Sequence, residues 1–293
     1  MSDHSPAAGL AGHTVRAAAP RRPFHPRPAA VVSHVVLAVL GCLFLFPAIW
    51  GALTSLKGPS AVYSLAPVAA PTLANYQGAL RSYPYLRLLA NTTAISLGVT
   101  ALGLVAALPA AYALTRFRFA GRGVVLALLL GSLLVPAQVT LVPDYVIIAR
   151  LHLLNTLAGV ILPEAAGVAV AVVVLRASLL DFPVDLYEAA AMDGAGPLAT
   201  LVRVVLPNLG AAVAAAAILL LVSSWNDYFW PLLVTNQLDT TTLQVGLQIF
   251  QSDSATAWGP LLAMNTLALV PVALLFLIAQ RWIADAYVRS GVR

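Results

Sequence analysis

The chain has 293 residues, 60% of them hydrophobic and only 9% charged, with a mean hydropathy of +0.89. No soluble domain of this size covers so much apolar surface, so the bilayer must be its solvent. The net charge of +5 does not point to nucleic acid, because the arginines are scattered between apolar runs and not gathered with aromatics into a patch. The single cysteine, Cys42, lies inside an apolar run and excludes a disulfide framework or thiolate metal site.

Residues 1–30 are rich in Ala, Pro, Arg and His without hydrophobic periodicity, which predicts a disordered cytoplasmic tail. The apolar run that follows, 30–53, is longer than the core of a signal peptide and lacks a small-residue cleavage site, so it reads as an uncleaved first span. Five further runs reach the length needed to cross a ~30 Å hydrocarbon core at ~1.5 Å per residue. They are approximately 88–115, 124–148, 157–175, 209–234 and 258–283. The expected fold is therefore an all-α membrane protein whose six transmembrane helices occupy residues 31–293. Pro109, Pro136, Pro143, Pro163 and Pro271 fall within or beside these runs, and the backbone groups they free need neighbouring helices or water.

Six spans put both termini on one side. The tail carries Arg16, Arg21, Arg22 and Arg27. The segment between spans two and three carries Arg116, Arg118 and Arg122, that between spans four and five Arg176 and Arg203, and the C-terminus Arg281, Arg289 and Arg293. Twelve of the sixteen basic residues thus share a side, which the positive-inside rule makes the cytoplasm. Lys57, Arg81, Arg87 and Arg150 fall outside. The outer segments, including 235–257, are too short for an independent domain, so capture of an extracellular ligand falls to another protein.

The segment 181–207 interrupts the apolar second half of the chain on the cytoplasmic side and carries four of the eleven acidic residues. It parses as two short helices. Pro183 and Pro197 suit first turns, Asp185 and Glu188 lie towards the positive end of the first helix, Gly194 supplies the positive φ that stops it, and Pro207 ends the second. A compact helical hairpin between two spans is a docking surface.

Glu188-Ala189-Ala190, three residues, Gly194, nine residues, Val204, one residue, then Leu206-Pro207 resembles the EAA motif of membrane subunits of binding-protein-dependent ABC importers. Val204 stands where that family usually has isoleucine. Asn91-Thr92, Ala111-Tyr112-Ala113-Leu114-Thr115-Arg116, Leu154-Asn155-Thr156, Trp225-Asn226-Asp227-Tyr228-Phe229-Trp230-Pro231-Leu232 and Gln280-Arg281 are similar to the carbohydrate-uptake branch, the maltose-permease-like second membrane subunit. Asp144 after Pro143, Glu164 after Pro163 and the C-terminal Arg289 to Arg293 depart from that pattern. The resemblance implies the type I ABC importer permease fold, with coupling helices at 181–207 seated in an ATPase subunit. Glu188, Ala189, Ala190, Asp193, Gly194, Leu206 and Pro207 would serve the coupling. It further implies a heterodimer with a second permease subunit, two ATPase subunits or domains that hold ATP and Mg, and an extracytoplasmic substrate-binding protein. The chain would sit multi-pass in the bacterial cytoplasmic (inner) membrane and translocate a sugar or related polyol. No cofactor is expected in this chain itself, and nucleic acid is not an expected partner.

Two readings stand for Asp227 among Trp225, Asn226, Tyr228 and Trp230. It lies on a substrate pathway, where rings meet sugar C–H faces and acceptors meet hydroxyls, or the aromatics form an interfacial belt. Glu164 serves a pore or subunit interface, or a local hydrogen bond. Asp144 pairs with Arg150 or with a neighbouring subunit. An ion-coupled secondary transporter using Asp144, Glu164 and Asp227, or an ABC permease for a non-sugar solute, is the alternative. No phosphate-binding Gly-x-x-x-x-Gly-Lys-Ser/Thr loop, no His-Glu-x-x-His and no Gly-x-Ser-x-Gly is present, and His4, His13, His25, His34 and His152 have no metal-site spacing, so no catalytic role is expected.

Overall fold

The computed structural model describes residues 28–251 and 257–291; side chains are described from residue 31 to residue 280, apart from residues 249, 252–256 and 279. Residues 1–27 of the expected tail and the Arg281 and Arg289–Arg293 side chains lie outside this range. The chain divides into two compact units, Met1–Pro47 and Ala48–Arg293. The described part of the first is the apolar start of helix α1 (Pro28–Ser55), with Pro47 inside it.

The second unit consists of helices joined by turns and irregular segments, the longest of them at 56–73. After the end of α1 it continues with α2 (Ala74–Ser82) and α3 (Tyr85–Arg116). Next come α4 (Arg122–Ser132), α5 (Ala137–Arg150), α6 (Leu157–Ala166) and α7 (Ala169–Leu180). Two short helices, α8 (Val184–Met192) and α9 (Pro197–Thr200), lead through a π-helical turn (Leu201–Val205) into α10 (Leu206–Asn208) and α11 (Gly210–Trp225). The chain ends with α12 (Phe229–Val234), α13 (Leu243–Gly246) and α14 (Trp258–Gly291).

Three helices, α1, α3 and α14, are each long and apolar enough to cross a membrane, and six spans result if each bent pair counts as one. The expectation of uninterrupted runs is corrected at three places. The run 124–148 bends by 101° between α4 and α5, where Pro136 drives Val135 out of the helical region. The run 157–175 bends by 45° at Gly167 and Val168. The run 209–234 is interrupted at Asn226–Tyr228, and α11 turns by 87° from α10 at Leu209.

Helix α3 is the centre of the unit, packing on α6, α7 and α11. Its small residues Gly103, Ala107 and Ala111 recur every four positions, so they share one face. There Ala107 and Ala111 are fully buried, in one cluster with Val172 and Leu175 of α7 and Ala216 of α11. A Cβ on Gly103 would stand 2.9 Å from Leu220, and one on Gly98 2.9 Å from Ile161. Close approach of small residues supplies van der Waals contact where lipid removes the hydrophobic drive between helices.

Candidate functional site

The hairpin of the 181–207 segment forms as the turn chemistry requires. Pro183 sits in extended conformation just before α8, and Asp185 lies in its first turn, where the helix dipole favours an acid. Gly194 adopts φ +73°. The Gly194 N–H donates to Ala191 O at 3.0 Å and the Ala195 N–H to Ala190 O at 2.9 Å, the double closure of a Schellman cap. Pro197 opens α9 as expected. Pro207 does not end the second helix. The helix widens ahead of it, with the Leu206 N–H donating to Leu201 O, and runs on to Asn208. A proline ring clashes with the carbonyl four residues back, and a wider turn relieves that clash.

Glu188, Ala189, Asp193, Gly194 and Pro207 are exposed and Leu206 is half-buried. Ala190 is buried against the chain itself. The hairpin also leaves large apolar side chains in the open: Met192 is 89% exposed and Leu198 72%. Exposed apolar side chains on a hairpin that also exposes Asp185, Glu188 and Asp193 have the composition of a protein-docking surface.

The inner face of α8 is held by an aromatic cluster that sequence reasoning missed. Tyr187 packs against Phe182 at 5.1 Å and Tyr112 at 6.2 Å between ring centroids, and the Arg116 guanidinium stands 4.3 Å over the Tyr187 ring. Burial pushes the Tyr187 phenol above its usual range, Tyr112 adds to that, and Arg116 opposes it. The ring therefore faces the guanidinium as a neutral phenol, and the contact is cation–π in character. The signal was present in the run Tyr112 to Arg116, but the sequence does not say that it meets Tyr187.

At the opposite end of α3, the fragments Asn91-Thr92 and Leu154-Asn155-Thr156 act as clamps. The Asn91 amide donates to the carbonyls of Asp239 and Thr241, both at 2.9 Å, and Thr92 Oγ1 accepts from the Leu243 N–H at 2.8 Å. Asn155 takes φ 58°, donates its N–H to Val234 O and accepts from the Asn236 N–H through Oδ1. Thr156 caps α6 by accepting from the Gly159 N–H at 3.0 Å.

The remaining candidates do not come together in one place. Glu164, Asp227 and Trp230 line one cavity of about 290 Å³, together with Asp144, Gln138 and Thr140. The breaks between α6 and α7 and between α11 and α12 bring them together. Both carboxylate oxygens of Glu164 are sealed from solvent without a hydrogen-bond partner among the described residues. Asp227 Oδ1 accepts from the Phe229 N–H at 3.2 Å. Asp144 faces this cavity and not Arg150, which six residues further on lies ~240° around the helix. Trp225 lines a different cavity with Thr93 and Ser96. Asn226 is exposed, with its side-chain oxygen 3.5 Å from Gln244 Nε2, and Tyr228 meets Phe229 edge to face with ring centroids 5.4 Å apart. Trp230 is 4% exposed and its indole N–H donates to Gly159 O at 3.2 Å, so it belongs to the packed interior and not to an interfacial belt.

Bent apolar helix pairs around an acid-lined cavity, with a helical hairpin at one end, define a multi-pass permease. The chain belongs to the family of inner-membrane components of binding-protein-dependent transport systems, whose model matches residues 100–289. It is 33% identical over 275 residues to the sulfoquinovosyl glycerol transport system permease protein SmoH of Agrobacterium fabrum, covering 92% of this chain and 95% of that one. It is 29% identical over 272 residues to the sn-glycerol-3-phosphate transport system permease protein UgpE of Pectobacterium atrosepticum, covering 89% and 96%. The fold is that of an ABC importer permease. It is similar, with a TM-score of 0.75 and 24% identity over 89% of this chain and 99% of the other, to a chain from the crystal structure of a bacterial ABC transporter involved in the import of the acidic polysaccharide alginate.

Proposed function

We propose that this chain forms half of the membrane pathway of an ABC importer for a neutral sugar or polyol, with its 181–207 hairpin docked in a partner ATPase. The observation that carries the reading is the hairpin itself: an exposed apolar patch with Glu188 beside it, aimed by the Gly194 cap. Residues 31–293 are read as the permease domain, and the basic residues around the hairpin favour a cytoplasmic side for it and for both termini by the positive-inside rule. A second permease subunit completes the pathway, two ATPase subunits or domains bind ATP and Mg, and an extracytoplasmic binding protein delivers solute. Closure of the ATPases moves the docked hairpin, and the spans rock between outward and inward openings.

The cavity supports the solute class. Asp227, Asp144, Gln138 and Thr140 offer acceptors for hydroxyls, Glu164 lines the cavity with its oxygens covered, and Trp230 offers an apolar wall. No Lys or Arg lines it among the described residues, so a phosphate or sulfonate placed there would meet three acidic side chains and no basic one. The ion-coupled alternative assigns those carboxylates to protons or sodium. Uptake in cells treated with an uncoupler, with ATP maintained, separates the two: persistence is expected for an ATP-driven importer, and collapse overturns it.

A further inference from the structure

Helix α3 runs unbroken for 32 residues, about 48 Å at ~1.5 Å per residue, beside pairs of helices that are bent. That exceeds a hydrocarbon core of ~30 Å, so the helix is long enough for both of its ends to reach past the apolar layer. Each end grips a different non-spanning segment. Arg116, its last residue, caps the Tyr187 ring of α8, with Tyr112 and Phe182 completing the cluster. Near its first turns, Asn91 and Thr92 hold the backbone of Asp239, Thr241 and Leu243, and Arg87 Nε donates to Asp239 O at 3.2 Å. Along its length the tight approach of Gly98 to Ile161 and of Gly103 to Leu220 gives it neighbours on two other helices. A continuous helix with a specific grip at either end transmits displacement where a helix broken at proline or glycine would flex.

We propose that α3 is the rod linking the hairpin to the 235–246 segment on the other side of the membrane, and that Arg116 and Tyr187 are the positioning pair that couples it to α8. The pair contacts neither solute nor nucleotide. It fixes the angle at which α8 stands on α3, so that movement of the docked hairpin becomes movement of the rod and not a local hinge. This rests on the reading of α8 to α10 as the ATPase dock.

The test uses the complete importer, with both permease subunits, ATPase and binding protein, reconstituted in proteoliposomes. The readout is solute moved per ATP hydrolysed. Tyr187→Leu and Arg116→Gln are each expected to lower that ratio several-fold, the double variant to be no worse than the poorer single, and Tyr187→Phe to restore the ratio by keeping the ring. Strictly additive losses, an unchanged ratio, or a Tyr187→Phe variant as impaired as Tyr187→Leu would overturn the proposal. Arg116 stands at the surface, so Arg116→Gln carries the test if Tyr187→Leu fails to assemble. Cross-linking from Glu188→Cys to the ATPase separates the two layers. Cross-linking with an unchanged ratio sinks the rod and leaves the dock standing, whereas no cross-link in any variant sinks the dock.

Discussion

Gly194 is held in a backbone conformation that L side chains rarely adopt. Its φ of +73° costs a residue with a Cβ roughly 1–2 kcal/mol, although no atom stands within 4 Å of where that Cβ would go. The penalty is therefore conformational and not steric. Gly194→Val is expected to fold and reach the membrane but to lose most ATP-driven uptake, because the chain leaves α8 at a different angle. Gly194→Asn should retain most of it, since asparagine tolerates the left-handed region. Immunoblotting of membranes beside an uptake assay checks both, and normal uptake by the valine variant at normal levels would contradict the role. Glu164 makes a different kind of prediction. Leaving a polar group without its buried hydrogen-bond partner costs about 1–3 kcal/mol, so if Glu164 meets the solute Glu164→Leu should weaken uptake by about tenfold while ATPase docking persists. Unchanged uptake kinetics would remove Glu164 from the pathway.

At the scale of elements, the apolar runs were legible and their bends were not. Hydropathy registers how much of a segment avoids water, and both halves of a bent helix avoid it equally, so 124–148 and 157–175 read as straight spans. Pro136 and Gly167 marked the break points, but proline also occurs inside α3 and α14 without a break, at Pro109 and Pro271. The hairpin was legible because each of its devices is local: a proline before the first helix, a proline in the first turn of the second, a glycine at the cap. The cavity was not, because Asp144, Glu164 and Asp227 come from three separate runs and meet only through the bends. The start of α6 offers a measurable consequence. A Cβ on Gly159 would run into the backbone carbonyl oxygen of Leu153, which cannot swing aside as a side chain does, and the Gly159 carbonyl also holds the Trp230 indole. Gly159→Ala should therefore disrupt the packing of α6 on α12 and lower the midpoint of thermal unfolding in detergent by several degrees. Gly78→Ala, at a helical glycine with nothing within 4 Å, should match or exceed the unmodified midpoint, since alanine is favoured over glycine in a helix by about 0.5–1 kcal/mol. Equal midpoints for the two variants would contradict this account.

For the whole molecule, the side on which the hairpin lies depends on whether the α4–α5 pair crosses the membrane. A 101° bend is compatible with a broken span or with a loop that re-enters on the same side. If the pair crosses, the count from the basic tail puts 181–207 in the cytoplasm and 235–246 outside. If it re-enters, every later segment changes side, and the hairpin would face outward with Arg176 and Arg203, against the charge rule. The alternatives give opposite labelling patterns. Cys42 is the only cysteine, so Cys42→Ala provides a clean background for single reporters at Met192 and Leu238, both exposed. A membrane-impermeant maleimide applied to intact cells should label Leu238→Cys and spare Met192→Cys, and inside-out vesicles stripped of the ATPase should reverse the pattern. The crossing count places an ATPase within reach of Glu188 only in this arrangement, because nucleotide hydrolysis draws on cytoplasmic ATP. Labelling of Met192→Cys from outside intact cells would mean that α4 and α5 re-enter, and it would remove the docking role of the hairpin together with the topology.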